Sequence, residues 1–210
     1  MAGMRLLRRG LPGLLAVMAL GAMPAAASAS GITLGLDGCP DQPTAHTFAR
    51  WLDFGNYTPV TGGSFEGSLS GWKLAGGAKV VSGNESFYVH GAGDKLALSL
   101  PSGSSATTPA MCMGVLDPTL RYFAANDGGL LSLLTVQILY YPPGGGVITL
   151  PLGLNVGGKA WAPSLPTIVA ANLLGVLDGG VAQVAFRFTP TGLGAKWRID
   201  DVYVDPRASH

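Results

Sequence analysis

A single all-β sandwich is the fold class the sequence predicts, and three observations predict it. Glycine (32) and proline (15) are abundant while charged residues make up only 12% of the chain, a composition that favours short strands and tight turns over solvated helices. From Tyr57 onward, β-branched and aromatic runs recur between turn signals at the spacing of a sandwich. Within three of those runs the residues alternate. Leu134, Val136 and Ile138 oppose Thr135, Gln137 and Tyr141; Val184, Phe186 and Phe188 oppose Gln183, Arg187 and Thr189; Leu96, Leu98 and Leu100 oppose Ala97 and Ser99. Each strand then has one core side and one wet side, which implies antiparallel sheets with solvated outer faces.

Taken in order, residues 1–29 read as a signal peptide. Arg5, Arg8 and Arg9 precede an apolar run from Leu11 to Met23, and Ala27-Ser28-Ala29 has the small-x-small form of a cleavage site. The run is broken by Pro12, Gly13 and Gly21 and falls short of the ~20 residues of a membrane span. Without this segment, which holds three arginines and no acid, the formal charge falls from +1 to −2. That excludes the basic excess needed to hold nucleic acid. No stable membrane insertion is expected after cleavage, and the chain is expected to be secreted.

Ser30 to Asn56 reads as an irregular arm with one helical turn around Thr47 to Leu52. Residues 57–206 form the sandwich domain and 207–210 a tail. Cys39 and Cys112 are the only cysteines, and export into an oxidising compartment makes a disulfide between them the expected state. Strands are predicted at Tyr57 to Val60, Gly71 to Leu74, Ala78 to Ser82, Phe87 to His90, Lys95 to Leu100, Ser105 to Thr107, Met111 to Met113, Leu120 to Ala125, Leu131 to Tyr141, Val147 to Leu152, Val181 to Thr189 and Trp197 to Val204. Pro142-Pro143-Gly144-Gly145-Gly146 is a strand connection, because the prolines cannot donate to a ladder and the glycines allow positive φ. Thr167 to Leu177 has apolar residues at helical spacing and reads either as a short helix across one end of the sandwich or as a buried loop.

Catalytic motifs are missing. The sequence holds no Gly-x-Ser-x-Gly elbow, no Gly-x-Gly-x-x-Gly, no phosphate loop and no His-Glu-x-x-His. Of the three histidines, His90 lies four residues before Asp94, with Ser82 and Ser86 nearby. The arrangement reads as a loop histidine bonded to a turn aspartate rather than a nucleophile triad.

The closing run Trp197-Arg198-Ile199-Asp200-Asp201-Val202-Tyr203-Val204 is the sharper signal. Two adjacent carboxylates inside a core-like strand need a counter-charge, because an unpaired buried carboxylate costs several kcal/mol or stays protonated. Glu66, near the first strand, and an aspartate of this last one could share a hard cation. The competing reading pairs the acids with Arg198, Lys196 or backbone amides.

Thr61-Gly62-Gly63-Ser64-Phe65-Glu66-Gly67-Ser68-Leu69-Ser70-Gly71-Trp72 resembles the opening of carbohydrate-binding modules of the galactose-binding-like jelly-roll type. Ile199-Asp200-Asp201-Val202-Tyr203-Val204 resembles their closing strand, and the chain is also similar to a group of small exported bacterial proteins. The resemblance implies a single antiparallel jelly-roll sandwich. It further implies a structural calcium on Glu66 and Asp201, with Asp200 as the substitute and Glu85 as an extra ligand, a donor set of hard oxygens that suits that ion.

Sugar binding requires aromatic platforms and planar polar side chains, because a pyranose has an apolar face and an edge of hydroxyls. The outward-facing Gln137, Tyr141, Gln183 and Arg187 are candidates, together with Arg121 and the loop residue Trp161; Trp72 and Trp197 read as core and Trp51 as packing for the arm. The expected function is that of a non-catalytic module binding a glycan or cell-surface polymer. The alternative is a structural or protein-interaction component of the cell envelope, and a hydrolase built on His90 ranks last.

Overall fold

The computed structural model describes residues 39–40, 42–114, 119–170 and 181–205. The expected signal segment, the tail and residues 171–177 of the expected helix lie outside them. Among the described residues, a 3₁₀ turn at Ala49–Trp51 is followed by thirteen strands. They are β1 (Thr58–Pro59), β2 (Lys73–Ala75), β3 (Lys79–Ser82), β4 (Leu96–Pro101), β5 (Ser105–Thr107), β6 (Met111–Gly114), β7 (Thr119–Asn126), β8 (Leu133–Tyr141), β9 (Ile148–Asn155), β10 (Ala162–Pro163), β11 (Thr167–Ile168), β12 (Val181–Thr191) and β13 (Lys196–Asp205).

All pairings are antiparallel and fall into two sheets. The first runs β10-β7-β13-β4-β3, with β1 added to β13 and β11 to β7; the second runs β2-β5-β12-β8-β9, with β6 added to β12. The chain alternates between the sheets and returns its last strand to the middle of the first, the path of a jelly-roll sandwich. Between them lies one core, filled by the inward rows the alternation marks: Leu98 and Leu100 from β4, Leu134, Val136, Ile138 and Tyr140 from β8, Val184, Phe186 and Phe188 from β12, and Trp197 and Ile199 from β13. The connection at Pro142 to Gly146 joins β8 to β9, and Gly145 and Gly146 both take positive φ there.

Head and tail of the domain meet directly. The Val60 N–H donates to the Val202 carbonyl at 2.9 Å, and the Val202 N–H donates to the Gly63 carbonyl at 3.1 Å. Glycine is required at position 63, since a Cβ there would stand 2.8 Å from both the Val202 and Val60 carbonyl oxygens.

Three expectations are corrected. Phe87 to His90 is not a strand: its amides are taken by carboxylates of Glu85 and Asp201 instead of a ladder partner. Thr167–Ile168 pairs with Leu120 and Thr119 as β11, so the expected helix does not begin there. The outer face of the first sheet is not solvated either. Ala97, Ser99, Arg121, Phe123 and Tyr203 are all buried, the last three because the arm folds over β7 and β13. Phe48 is its anchor, stacked on Phe123 at 5.6 Å and edge-on to Tyr57 and Tyr203 at 4.9 and 5.7 Å. This aromatic cluster is separate from the sandwich core.

Cys39 and Cys112 are disulfide-bonded across 73 residues, which ties the start of the arm to β6. In the chain-entropy view a loop of that length contributes about 4 kcal/mol by restricting the unfolded chain. Cys39→Ser is therefore expected to lower unfolding free energy in urea by roughly that amount. A midpoint equal to that of the parent protein would show that the arm is held without the bond.

Candidate functional site

Strand β13 starts as an ordinary ladder, with Trp197, Arg198 and Ile199 opposite Leu100, Ser99 and Leu98 of β4 and opposite Asn126, Ala125 and Ala124 of β7. Between Asp200 and Tyr203 the register against β7 slips. Asp201 sits at φ +46°, a left-handed conformation that aspartate tolerates better than most residues. The resulting bulge turns both acids toward the loop between β3 and β4. There Asp200 accepts from the Glu85 N–H at 2.9 Å and from the Asp201 N–H at 2.8 Å, and Asp201 accepts from the His90 N–H at 3.2 Å. Glu85, itself buried, binds the Phe87 and Val89 amides. Glu66 reaches the far end of the same loop and accepts from the Lys95 and Leu96 amides at 2.6 and 2.5 Å.

The structure thus brings all four predicted acids to one loop and satisfies them with backbone amides. Arg198, an expected counter-charge, pairs with Asp127 at 2.8 Å instead. Among the described residues, no lysine or arginine side chain pairs with any of these four acids. Burial pushes the Asp200 carboxyl up to about 8, with the neighbouring Asp201 and Glu85 adding to the rise. Burial likewise pushes Asp201 up to about 7, helped by Glu85 and Asp94. One nitrogen of His90 and one oxygen each of Asp94 and Asp201 lie within 4.8 Å of one another. Of the expected calcium ligands only Asp201 belongs to this group, which offers two hard oxygens and one nitrogen. His90 and Asp94 are bonded to each other at 2.7 Å, the loop arrangement the sequence suggests.

The sugar-type candidates divide between the two outer faces. Strand register sets Gln183 opposite Tyr141 and Arg187 opposite Gln137, so these four share the outer face of the second sheet. Arg187 also stands opposite Thr107 of β5, which stands opposite Lys73 of β2, and donates to the Thr107 hydroxyl at 3.3 Å. A shallow trough of about 450 Å³ follows this row.

Arg121 and Trp161 are not on that face. Arg121 is only 4% exposed; its guanidinium donates to the Asp53 carboxylate at 2.5 Å and to the Ser164 carbonyl at 2.7 and 3.1 Å, and it lies 4.3 Å over the Phe48 ring. Trp161 packs half-buried against the aromatic cluster of the first sheet, with Arg198 5.0 Å over its ring. Burial works to raise the Asp53 carboxyl, but the Gly55 amide, Arg121 and the Tyr57 hydroxyl outweigh it and hold it below its ordinary value. Sequence reading missed Asp53 as Arg121's partner. The Asp53-x-Gly55 spacing signals a local turn, not a bond to a residue 68 positions away.

No protein-family model and no curated protein matches the sequence. Solved structures of similar fold include the CBM22-1 and GH10 modules of Clostridium thermocellum xylanase 10B with xylohexaose, at 12% identity and a TM-score of 0.49 over 70% of this chain. This chain spans 28% of that one. Another is the carbohydrate-binding module TmCBM61 with β-1,4-galactotriose, at 17% identity and a TM-score of 0.44 over 70% of this chain and 97% of that one. A third is the CBM22-1 xylan-binding domain of Paenibacillus barcinonensis Xyn10C, at 12% identity and a TM-score of 0.48 over 73% and 94%.

The acid cluster sets a pH dependence. Asp200 and Asp201 keep their protons in the folded chain at pH values where the unfolded chain has lost them. Their contribution is complete below the unfolded value near 4 and is lost as pH rises through about 7 to 8. In chelated protein the melting temperature is expected to fall between about pH 5 and about pH 8, and less so in Asp200→Asn. A rise over that window in calorimetry would contradict the burial argument.

Proposed function

We propose that the chain is an exported, non-catalytic module that binds a glycan or cell-surface polysaccharide on the outer face of its second sheet. The observation that carries this reading is the register of β8 and β12. It sets an amide and a phenol side by side, Gln183 with Tyr141, and four residues further on, beyond the Ala185–Leu139 pair, a guanidinium beside an amide, Arg187 with Gln137. Planar donors and acceptors in a row match the paired hydroxyls along the edge of a polysaccharide, and the Tyr141 ring supplies an apolar surface for a pyranose face. Thr107 and Lys73 extend the row across two further strands.

Export is supported by the disulfide, which belongs to an oxidising compartment. Among the described residues no helix is long and apolar enough to cross a membrane. A structural calcium that links Glu66 to Asp201, with Asp200 and Glu85 beside them, belongs to the same proposal. It is supported by the hydrogen bonds of these acids to backbone amides along the β3–β4 loop, where a divalent cation would neutralise charge that amides alone only solvate.

A protein-contact role in the cell envelope is favoured by a different feature. Leu130, Leu131 and Leu193 are 103%, 67% and 80% exposed on loops at one end of the sandwich, and these loops touch where Gly192 packs on the Leu131 carbonyl.

Two measurements test the proposal. Affinity electrophoresis in gels containing xylan, galactan or cellulose derivatives should retard the protein, and Tyr141→Ala or Arg187→Ala should weaken retention about tenfold, the loss of one central contact of more than 1 kcal/mol. Free migration in every polysaccharide would reject the sheet face as a glycan site. For the ion, a chelator should lower the melting temperature near neutral pH and calcium should restore it, with Asp201→Asn insensitive to both. Identical melting with and without chelator, in protein shown by elemental analysis to carry no metal, would remove the calcium.

A further inference from the structure

The arm does more than cover the first sheet. Where its 3₁₀ turn ends, the chain from Trp51 to Phe54 faces the loop from Pro163 to Pro166, and between them lies a cleft of about 500 Å³ with Arg121 at its floor. That volume lies within the range of small-molecule sites. Three large apolar side chains line it and stay in water: Leu52 is 84% exposed, Phe54 65% and Leu165 82%. Leu52 is also held at φ +59°, a left-handed conformation that is strained for a residue with a side chain. Exposed leucine and phenylalanine on a strained turn around one concavity are not explained by packing.

The floor decides the class of ligand. Arg121 and Asp53 form an internally neutral pair in which Asp53 also accepts from the Tyr57 hydroxyl at 2.9 Å and the Gly55 amide at 3.1 Å. The guanidinium has five N–H groups, and its bonds are to Asp53 and the Ser164 carbonyl. The cleft therefore presents donors and acceptors side by side with no net charge. An anion would meet the Asp53 carboxylate and a cation the guanidinium, so both are disfavoured. A neutral polyhydroxylated ring fits: hydroxyls of one edge exchange bonds with the Asp53–Arg121 pair while an apolar face covers Phe54.

We propose that this cleft is a second carbohydrate site, which takes a neutral saccharide ring between Phe54 and Leu165 over the Asp53–Arg121 pair. It shares its ligand class with the sheet-face reading but none of its residues, so the two stand or fall separately. A domain with both sites would grip one polymer from two sides or bridge two chains, with avidity beyond either site alone.

The test titrates the whole chain with neutral cello-, xylo- and galacto-oligosaccharides, and with an oligogalacturonate as the charged control, by calorimetry. Phe54→Ala and Leu165→Ala alter exposed side chains and should leave melting unchanged, and each should weaken neutral-sugar binding roughly fivefold or more. That binding should persist in the Tyr141→Ala, Arg187→Ala double variant, and the oligogalacturonate should bind more weakly than its neutral counterparts. Full affinity in Phe54→Ala and Leu165→Ala, or binding abolished by the double variant alone, would overturn the cleft while leaving the sheet face standing. No saturable binding of any neutral sugar by the parent chain would overturn both. Stronger binding of the oligogalacturonate would overturn the neutral-floor argument.

Discussion

Strand β13 carries the fold by failing to stay regular. Its first half is paired on both sides, to β4 and β7, and its last residues pair with β1 and β7, but between Asp200 and Tyr203 the ladder is interrupted. A straight strand would put one of two adjacent side chains into the apolar core, where a carboxylate is costly. The bulge avoids that, and both acids become hydrogen-bond acceptors for a loop that has no ladder of its own. The same irregularity leaves the Val202 backbone free to bond Val60 and Gly63, which closes the head of the domain on its tail.

The β3–β4 loop is consequently shaped from outside itself. Asp200 and Asp201 take amides of Glu85 and His90, Glu66 takes those of Lys95 and Leu96, and Glu85 reaches over Phe87 and Val89. Carboxylates with several N–H partners are well solvated in place, yet their mutual repulsion and burial still favour a proton on the aspartates or a positive ion beside them. Stability and loop conformation are thus two readings of one electrostatic imbalance.

The arm gives the two sheets different outer faces. Over the first sheet, Phe48 and its aromatic neighbours exclude water and bury Arg121 in an ion pair. The second sheet keeps a polar row across β2, β5, β12 and β8. A sandwich without the arm would present Phe123 and Tyr203 to solvent, an edge of aromatic surface that a protein stabilised by one core does not need. With the arm in place, that surface becomes a floor and the arm's own rim becomes accessible.

Much of this was legible in the sequence because burial periodicity is local. The alternation in Leu134 to Ile138, Val184 to Phe188 and Leu98 to Leu100 marks which side chains face the core, whatever the strands later pair with. Gln137, Tyr141, Gln183 and Arg187 fall on one face for the same reason, and export chemistry alone indicated the Cys39–Cys112 bond. Only the tertiary structure decided the rest. Phe87 to His90 has strand composition, but its amides go to acids up to 111 residues away, and no local pattern encodes that competition. Arg121 occupies an outward position of β7 and would be wet in the bare sheet. It is buried because Asp53, 68 residues earlier, folds over it, and a bond between residues so distant in sequence exists only once the chain has closed.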